Sequence, residues 1–275
     1  MWKIVHESGR RYLFIDTPVE THYLIPEPAT RLDAIEAVMM DMDGSSTDTE
    51  KLVLEAMRRM MADSLGRSDF AFARDDYPHI VGDSTTNHVT WLVRKYGLDP
   101  ARRDDYIALY YKYYHQTLSD IRDGKRDEGL IEPMPHLGEF LTWARARGLK
   151  IGIVTSSIEW ELDIVMTEVF KRLGWSTPFK EFYDATIGAD AVGEPFLKPH
   201  PNLYVLMAEK LGVAPGRAVV VEDSTAGILA GRVAGFSVAA VPHHHTKGHS
   251  FDMADLGVME GGLEEVREVL ETVIR

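Results

Sequence analysis

The sequence predicts an α/β fold: a doubly wound parallel sheet, covered on both faces by helices and interrupted just after its first strand by an all-helical insert. Three observations predict it. Val38-Met39-Met40, Ile151 to Thr155, AVVVED over 218–223 and FSVAAV over 236–241 are short, continuously apolar segments, as strands buried on both faces are. From residue 135 onward these runs alternate with segments of helical spacing, which implies parallel strands joined by crossover helices. Residues 50–133, in contrast, carry helical periodicity and hardly any strand signal. The division that follows is an N-terminal extension over 1–33, a core from 34–49 and 134–275, and a helical insert over 50–133.

Taken in order, WKIVHE and RRYLFIDT read as two short strands around Ser8-Gly9, a hairpin. The proline-bearing LIPEPATRLD then leads to the core. No chemistry is visible here, and an edge hairpin or an oligomer contact is expected. The first core strand delivers Asp41 and Asp43 to its tip, and Gly44 turns the chain. Alternate strand side chains point opposite ways, so these two carboxylates can share one side. Asp48 or Thr49 can cap a helix bearing Leu52, Val53, Ala56, Met57, Met60 and Met61, whose methionines read as packing.

SDFAFARDDYPHIVGDSTT is irregular, with a helix starting near Ser84. NHVTWLVRKYGL and RRDDYIALYYKYYHQTLSDI are helical, the second with Tyr106, Tyr110, Tyr113 and Leu118 broadly along one face as the core of a small bundle. After the insert come a helix ending near Gly148 and one carrying Ile158, Leu162, Val165, Val169 and Leu173. A strand near Tyr183 to Ile187, a helix over 203–211, the helix TAGILAGRVAG and a closing helix with Leu263, Val266, Leu270 and Val273 follow.

The formal net charge of −13 argues against a general nucleic-acid binder, which needs a basic face. An anionic small substrate must then be held by local positive groups. There are no cysteines, no run approaches a membrane span, and the start lacks a basic head followed by an apolar core. A cytoplasmic protein without membrane partner, monomeric or homodimeric, is expected.

In open parallel sheets, ligands bind beyond the carboxyl ends of the strands. Asp41 and Asp43 follow the first strand; Thr155, Ser156 and Ser157 follow IGIV; Glu222, Asp223 and Ser224 follow AVVV; Lys198 lies in the loop between. Any one of these can be an ordinary strand-to-helix turn. Together they gather acids, hydroxyls and a lysine at one edge, a site for a metal and an anion, with magnesium suited to the oxygen donors.

DMDGSSTDT, Thr155, Lys198 in KPHP and EDSTAG occur in the order of the four motifs of the haloacid dehalogenase superfamily, which the chain resembles over about residues 35–260. It looks like the branch with a helical cap inserted after the first motif, which holds phosphoglycolate phosphatases, sugar-phosphate phosphatases and beta-phosphoglucomutase. The resemblance implies a Rossmann-like core with an all-helical cap closing over the site. It implies that Asp41 attacks phosphorus and becomes an aspartyl phosphate, while Asp43 protonates the leaving oxygen and then deprotonates water. Mg2+ would be held by the Asp41 carboxylate, the Asp43 backbone carbonyl and Asp223, with Glu222 close by. Thr155 and Lys198, with Ser156 beside them, would bind phosphoryl oxygens. In the cap loop, around Asp76, His79 and Asp83, relatives select the leaving group, and His79 is a candidate substrate contact.

The departures are informative. Ser45-Ser46 replaces the usual Thr-Leu, which bears on the cap hinge more than on the chemistry. Beta-phosphoglucomutase has a histidine where Val53 stands and a cap arginine where this chain reads HIVGDSTT over 79–86. No lysine occurs between Leu52 and Arg94 for the Schiff base of a phosphonatase. His243, His244, His245 and His249 look metal-binding by composition, though hard magnesium prefers oxygen. The expected function is a Mg2+-dependent phosphohydrolase of a small phosphorylated metabolite. A phosphosugar mutase is the enzymatic alternative, and an inactive binding scaffold the alternative from another class.

Overall fold

A computed structural model describes residues 1–27, 35–80, 85–126, 129–243, 246 and 249–274. The chain clusters into two compact units, one from Met1–Thr47, Pro133–His243 and Gly248–Arg275, the other built on Asp48–Glu132.

In the first unit, β1 (Trp2–Glu7) and β2 (Arg10–Ile15) pair antiparallel across Ser8 and Gly9, both at positive φ. Such a two-residue turn matches the twist of the flanking strands. A third strand, β3 (Thr21–Leu24), pairs with β2. It lies in a stretch that gives no strand signal, being only four residues long and half exposed.

The main sheet holds β4 (Ala37–Asp41), and β5 (Thr47–Asp48) and β6 (Glu132–Pro133) form a separate two-stranded pair. The other main strands are β7 (Lys150–Val154), β8 (Ala185–Ile187), β9 (Ala218–Glu222), β10 (Ser237–Ala240) and β11 (Gly257–Val258). Their order is β11-β10-β9-β4-β7-β8, with parallel pairings throughout. This is a doubly wound, Rossmann-like sheet whose order reverses between β4 and β9. Ligands of such sheets bind at that switch point, and β4 and β9 end in Asp41 and Glu222. Every residue of both strands is buried, which explains why they read as unbroken apolar runs.

The helices are α1 (Glu50–Leu65), α2 (Thr85–Tyr96) and α3 (Arg103–Arg122) in the second unit. Then come α4 (Leu137–Ala146), α5 (Glu159–Arg172), the single turn α6 (Phe179–Phe182), α7 (Asn202–Leu211), α8 (Thr225–Val233) and α9 (Leu263–Val273). From α7, Tyr204 and Met207 pack with Met39 and Val220 of the sheet. No described helix is long and apolar enough to cross a membrane.

In the second unit, Leu52, Ala56, Met57, Met60 and Met61 of α1 are buried. On α3 the buried stripe is Tyr106, Tyr110, Tyr114 and Leu118, a strict four-residue spacing. Tyr113 departs from the predicted stripe, because one residue rotates a helical position by about 100°. Its hydroxyl instead donates to Asp63 at 2.9 Å. Asp76 is buried and pairs with Lys95 and the Tyr96 hydroxyl, while accepting from the Ala73 amide at 2.7 Å. It fixes the local backbone. His79 is exposed and stacks on Trp91, ring centroids 4.5 Å apart. Asp83 and Ser84 lie outside the described residues.

Candidate active site

The first polar residue of the site, Asp41, is the last residue of β4 and is buried. Behind it the chain folds back tightly. Gly44 adopts φ +87°, where a Cβ would collide with the Asp223 carboxylate and lie 2.7 Å from His243 Nε2. Only glycine fits such an approach. The Ser46 and Thr47 amides both donate to the Met42 carbonyl, at 2.9 and 2.8 Å. The unusual Ser46 is buried, and its hydroxyl donates to the Asp41 carbonyl oxygen at 2.6 Å. A polar side chain is tolerated there because it ties down the backbone of Asp41. The Ser45 hydroxyl is buried with no protein partner.

Lys198 enters from the loop before α7. Its ammonium donates to Asp41 Oδ1, to Glu222 Oε1 at 2.6 Å and to the Val154 carbonyl at 3.2 Å. Three N–H groups meet three acceptors, so the buried charge is satisfied. Glu222 is fully buried. Besides Lys198, its Oε1 accepts from the Tyr204 hydroxyl at 2.7 Å, and its Oε2 accepts from the Ser224 amide and hydroxyl at 3.3 and 3.1 Å. The Ser224 hydroxyl also accepts from the Gly227 amide at 3.0 Å, capping α8. A Cβ at Gly227 would collide with the Glu222 carboxylate. Asp223 is buried, and its Oδ2 lies 3.0 Å from His243 Nε2.

At the end of β7, Thr155 is buried and its hydroxyl accepts from the Ser157 amide at 2.9 Å. The Ser157 hydroxyl reaches Asp43 Oδ2 at 3.4 Å, whereas Ser156 is exposed. Asp41, Lys198 and Glu222 are thus in direct contact, with Asp223 beside them. Asp43 faces the β7 turn, and His79 belongs to the other unit.

The histidine run divides. His244 and His245 lie outside the described residues. His249 Nδ1 accepts from the Thr225 amide at 3.0 Å, at the start of α8. By composition alone His243 belongs to a histidine tract, whereas in the structure it meets Asp223. The signal was available: β10 runs parallel to β9, so the residues following it emerge at the same edge. Tyr204 was also missed, because an apolar α7 face gives no sign that one of its rings carries a hydroxyl to a carboxylate.

Burial pushes the Asp41 carboxyl well above the usual carboxylate range; Lys198 pulls it down, and Glu222 and Asp223 push it further up. Asp223 is raised by burial and by Glu222, against Lys198. For Lys198, burial disfavours the ammonium, but Asp41 and Glu222 outweigh it and hold its pKa above the ordinary lysine value. The cluster therefore carries more negative charge than one lysine neutralises. Among the described residues, oxygen atoms of Asp41, Glu222 and Asp223 all lie within 4.8 Å of one another. An all-oxygen donor set of that charge fits a hard divalent cation such as magnesium. Glu222 is the poorer ligand of the three, since four hydrogen bonds already use the acceptor capacity of a carboxylate.

A family model described as haloacid dehalogenase-like hydrolase matches residues 35–235. The chain is 27% identical over 247 residues to the phosphorylated carbohydrates phosphatase of Thermotoga maritima, covering 87% of this chain and 100% of that protein. It is 25% identical over 221 residues to protein CbbY of Rhodobacter capsulatus, covering 80% and 91%. The crystal structure of CbbY from Rhodobacter sphaeroides in complex with phosphate aligns with a TM-score of 0.59 at 25% identity, over 84% of this chain and 99% of that one.

Proposed function

The chain belongs to the haloacid dehalogenase-like hydrolases, and on that premise we propose that it is a Mg2+-dependent phosphatase of small phosphorylated sugars that works through an aspartyl phosphate on Asp41. The observation that carries this reading is the buried contact of Lys198 with Asp41 and Glu222 beside Asp223, at the sheet's switch point.

Phosphoryl transfer needs mainly positioning and charge neutralisation. Asp41 attacks phosphorus through its carboxylate, which Lys198 holds in place. Burial raises its pKa, so the carboxylate becomes a nucleophile only where positive charge compensates it. Asp43 gives a proton to the leaving oxygen, then takes one from the water that attacks the aspartyl phosphate. Lys198 and the Thr155 turn, with Ser156, hold the phosphoryl oxygens.

Asp41, Asp223 and the Asp43 carbonyl would hold Mg2+, which when bound neutralises charge on the phosphoryl group. Glu222 acts on Lys198 rather than on the metal: with Tyr204 and Ser224 it forms a fixed base from which the ammonium is aimed. His243 steadies Asp223. The sugar-phosphate class is supported by the name of the Thermotoga relative, and His79 remains the candidate cap contact for the leaving group.

A panel of sugar phosphates, assayed with Mg2+ for free phosphate and by NMR for isomers, tests this reading. Inorganic phosphate is expected in step with substrate loss. Isomer formation without phosphate would favour the mutase, which Val53 argues against.

A further inference from the structure

The reaction chemistry makes no use of the N-terminal three-stranded sheet, and the family match begins after it, at residue 35. Yet this sheet reaches the turn that presents Lys198. His200 is only 3% exposed. Its Nδ1 lies 3.1 Å from the Tyr23 hydroxyl on β3, and its Nε2 lies 3.2 Å from the carbonyl oxygen of Thr17, between β2 and β3. A carbonyl only accepts, so Nε2 carries the hydrogen. In the neutral ring, Nδ1 is then left to accept from the Tyr23 O–H. The two rings also meet edge to face, with centroids 5.8 Å apart.

Both imidazole nitrogens are therefore satisfied from the extension, while the backbone of the same residue shapes the active-site loop. The His200 amide donates to the Leu197 carbonyl at 2.9 Å, closing the turn that contains Lys198. The sheet is itself anchored. Leu13, Ile15 and Ile25 pack on Leu229 of α8, and Arg232 of the same helix donates to the Pro26 carbonyl at 2.8 Å.

We propose that the N-terminal sheet is a clamp on the active-site lysine: Thr17 and Tyr23 fix His200, and His200 sets the turn that aims Lys198 between Asp41 and Glu222. His200 and Tyr23 are positioning residues. The clamp rests on the phosphoryl-binding role given to Lys198 above. A misplacement of about 1 Å in a reacting constellation costs about 100-fold in rate, which sets the scale of the effect.

The test compares wild type, Tyr23→Phe, His200→Gln and His200→Ala, each also in a Lys198→Ala background. The readouts are kcat and KM on p-nitrophenyl phosphate with Mg2+, the inhibition constant of inorganic phosphate, the half-saturating Mg2+ concentration and Tm. His200→Ala is expected to lower kcat/KM by about 10- to 100-fold and to weaken phosphate inhibition. Tyr23→Phe, which drops one hydrogen bond, should lower kcat/KM by about 3- to 10-fold. His200→Gln, whose amide can still donate to the Thr17 carbonyl, should recover part of the loss, and the Mg2+ requirement should not move.

In the Lys198→Ala background the same changes should cost less than about twofold, because no ammonium remains to be aimed. Equal losses in both backgrounds would mean general structural damage and overturn the clamp. So would wild-type kinetics in a folded Tyr23→Phe and His200→Ala. Lys198→Ala running at the wild-type rate would remove the lysine's assigned role and the clamp with it, a result distinct from a clamp failure in which Lys198→Ala is crippled. If His200→Ala does not fold, Tyr23→Phe carries the comparison, since it keeps the ring packing.

Discussion

Asp41→Asn is expected to lower kcat by about 1,000- to 10,000-fold on any phosphomonoester the wild type hydrolyses, a loss of about 4–5.5 kcal/mol in barrier terms. The substitution keeps the shape of the side chain and removes the oxygen nucleophile. Stability should move the other way in metal-free buffer. The folded protein raises the Asp41 pKa, by burial above all. A carboxyl raised in this way favours the folded state below its unfolded pKa and loses that contribution as pH rises through the folded value. Above the unfolded pKa the buried Asp41 carboxyl is therefore a burden when no cation is present, and the neutral amide relieves it. Phosphate release with Mg2+, measured beside Tm in chelator, checks both halves. Equal residual activity in wild type and variant would leave the inactive-scaffold reading standing.

Lys198→Ala is the second large effect, with an expected loss of about 1,000-fold in kcat/KM. The ammonium neutralises charge on Asp41 and on the phosphoryl group, and electrostatic groups of this kind are worth about 100- to 1,000-fold each. Here stability should also fall. Removing one partner of a buried pair costs about 3–5 kcal/mol when the remaining charge stays ionised, and Asp41 and Glu222 are both left without the lysine.

The pH dependence follows from the signs. In the wild type the Lys198 pKa lies above the ordinary lysine value, so its contribution is fully present at and below neutral pH. In the variant, Asp41 loses the cation that pulls its raised pKa down, so its ionisation is opposed further as pH rises. The Tm deficit relative to wild type should thus be small near pH 5 and larger near pH 8. A deficit that shrinks with rising pH, or kcat/KM within tenfold of wild type, would contradict this account of the cluster.

Much of the core was legible because burial on both faces leaves a simple trace. β4 and β9 are wholly buried, so AVMMD and AVVVE stand out as apolar runs that end in acids. Parallel strands open their carboxyl ends on one edge, which is why Asp41, Thr155, Lys198 and Glu222 group together from the sequence alone. What stayed hidden depends on contacts with no local pattern. β3 is short and half exposed. Tyr113 and Tyr114 differ by one helical position, finer than a loose face assignment can resolve. Tyr204 looked like core. The Tyr23 to His200 contact joins residues 177 positions apart, and no periodicity reports such a pair. His243 was visible in the chain, but its composition pointed to its histidine neighbours, whereas the β10–β9 pairing brings it to Asp223.

Asp41 is expected to carry the phosphoryl group during turnover. The most direct measurement is a borohydride quench of the working enzyme with a sugar phosphate and Mg2+, followed by mass spectrometry of the peptide containing residue 41. Reduction of an aspartyl phosphate converts that residue to homoserine, and homoserine is expected at position 41 only when substrate and metal are both present. Steady phosphate release with an unmodified Asp41 after the quench, or homoserine at another acidic residue, would contradict it.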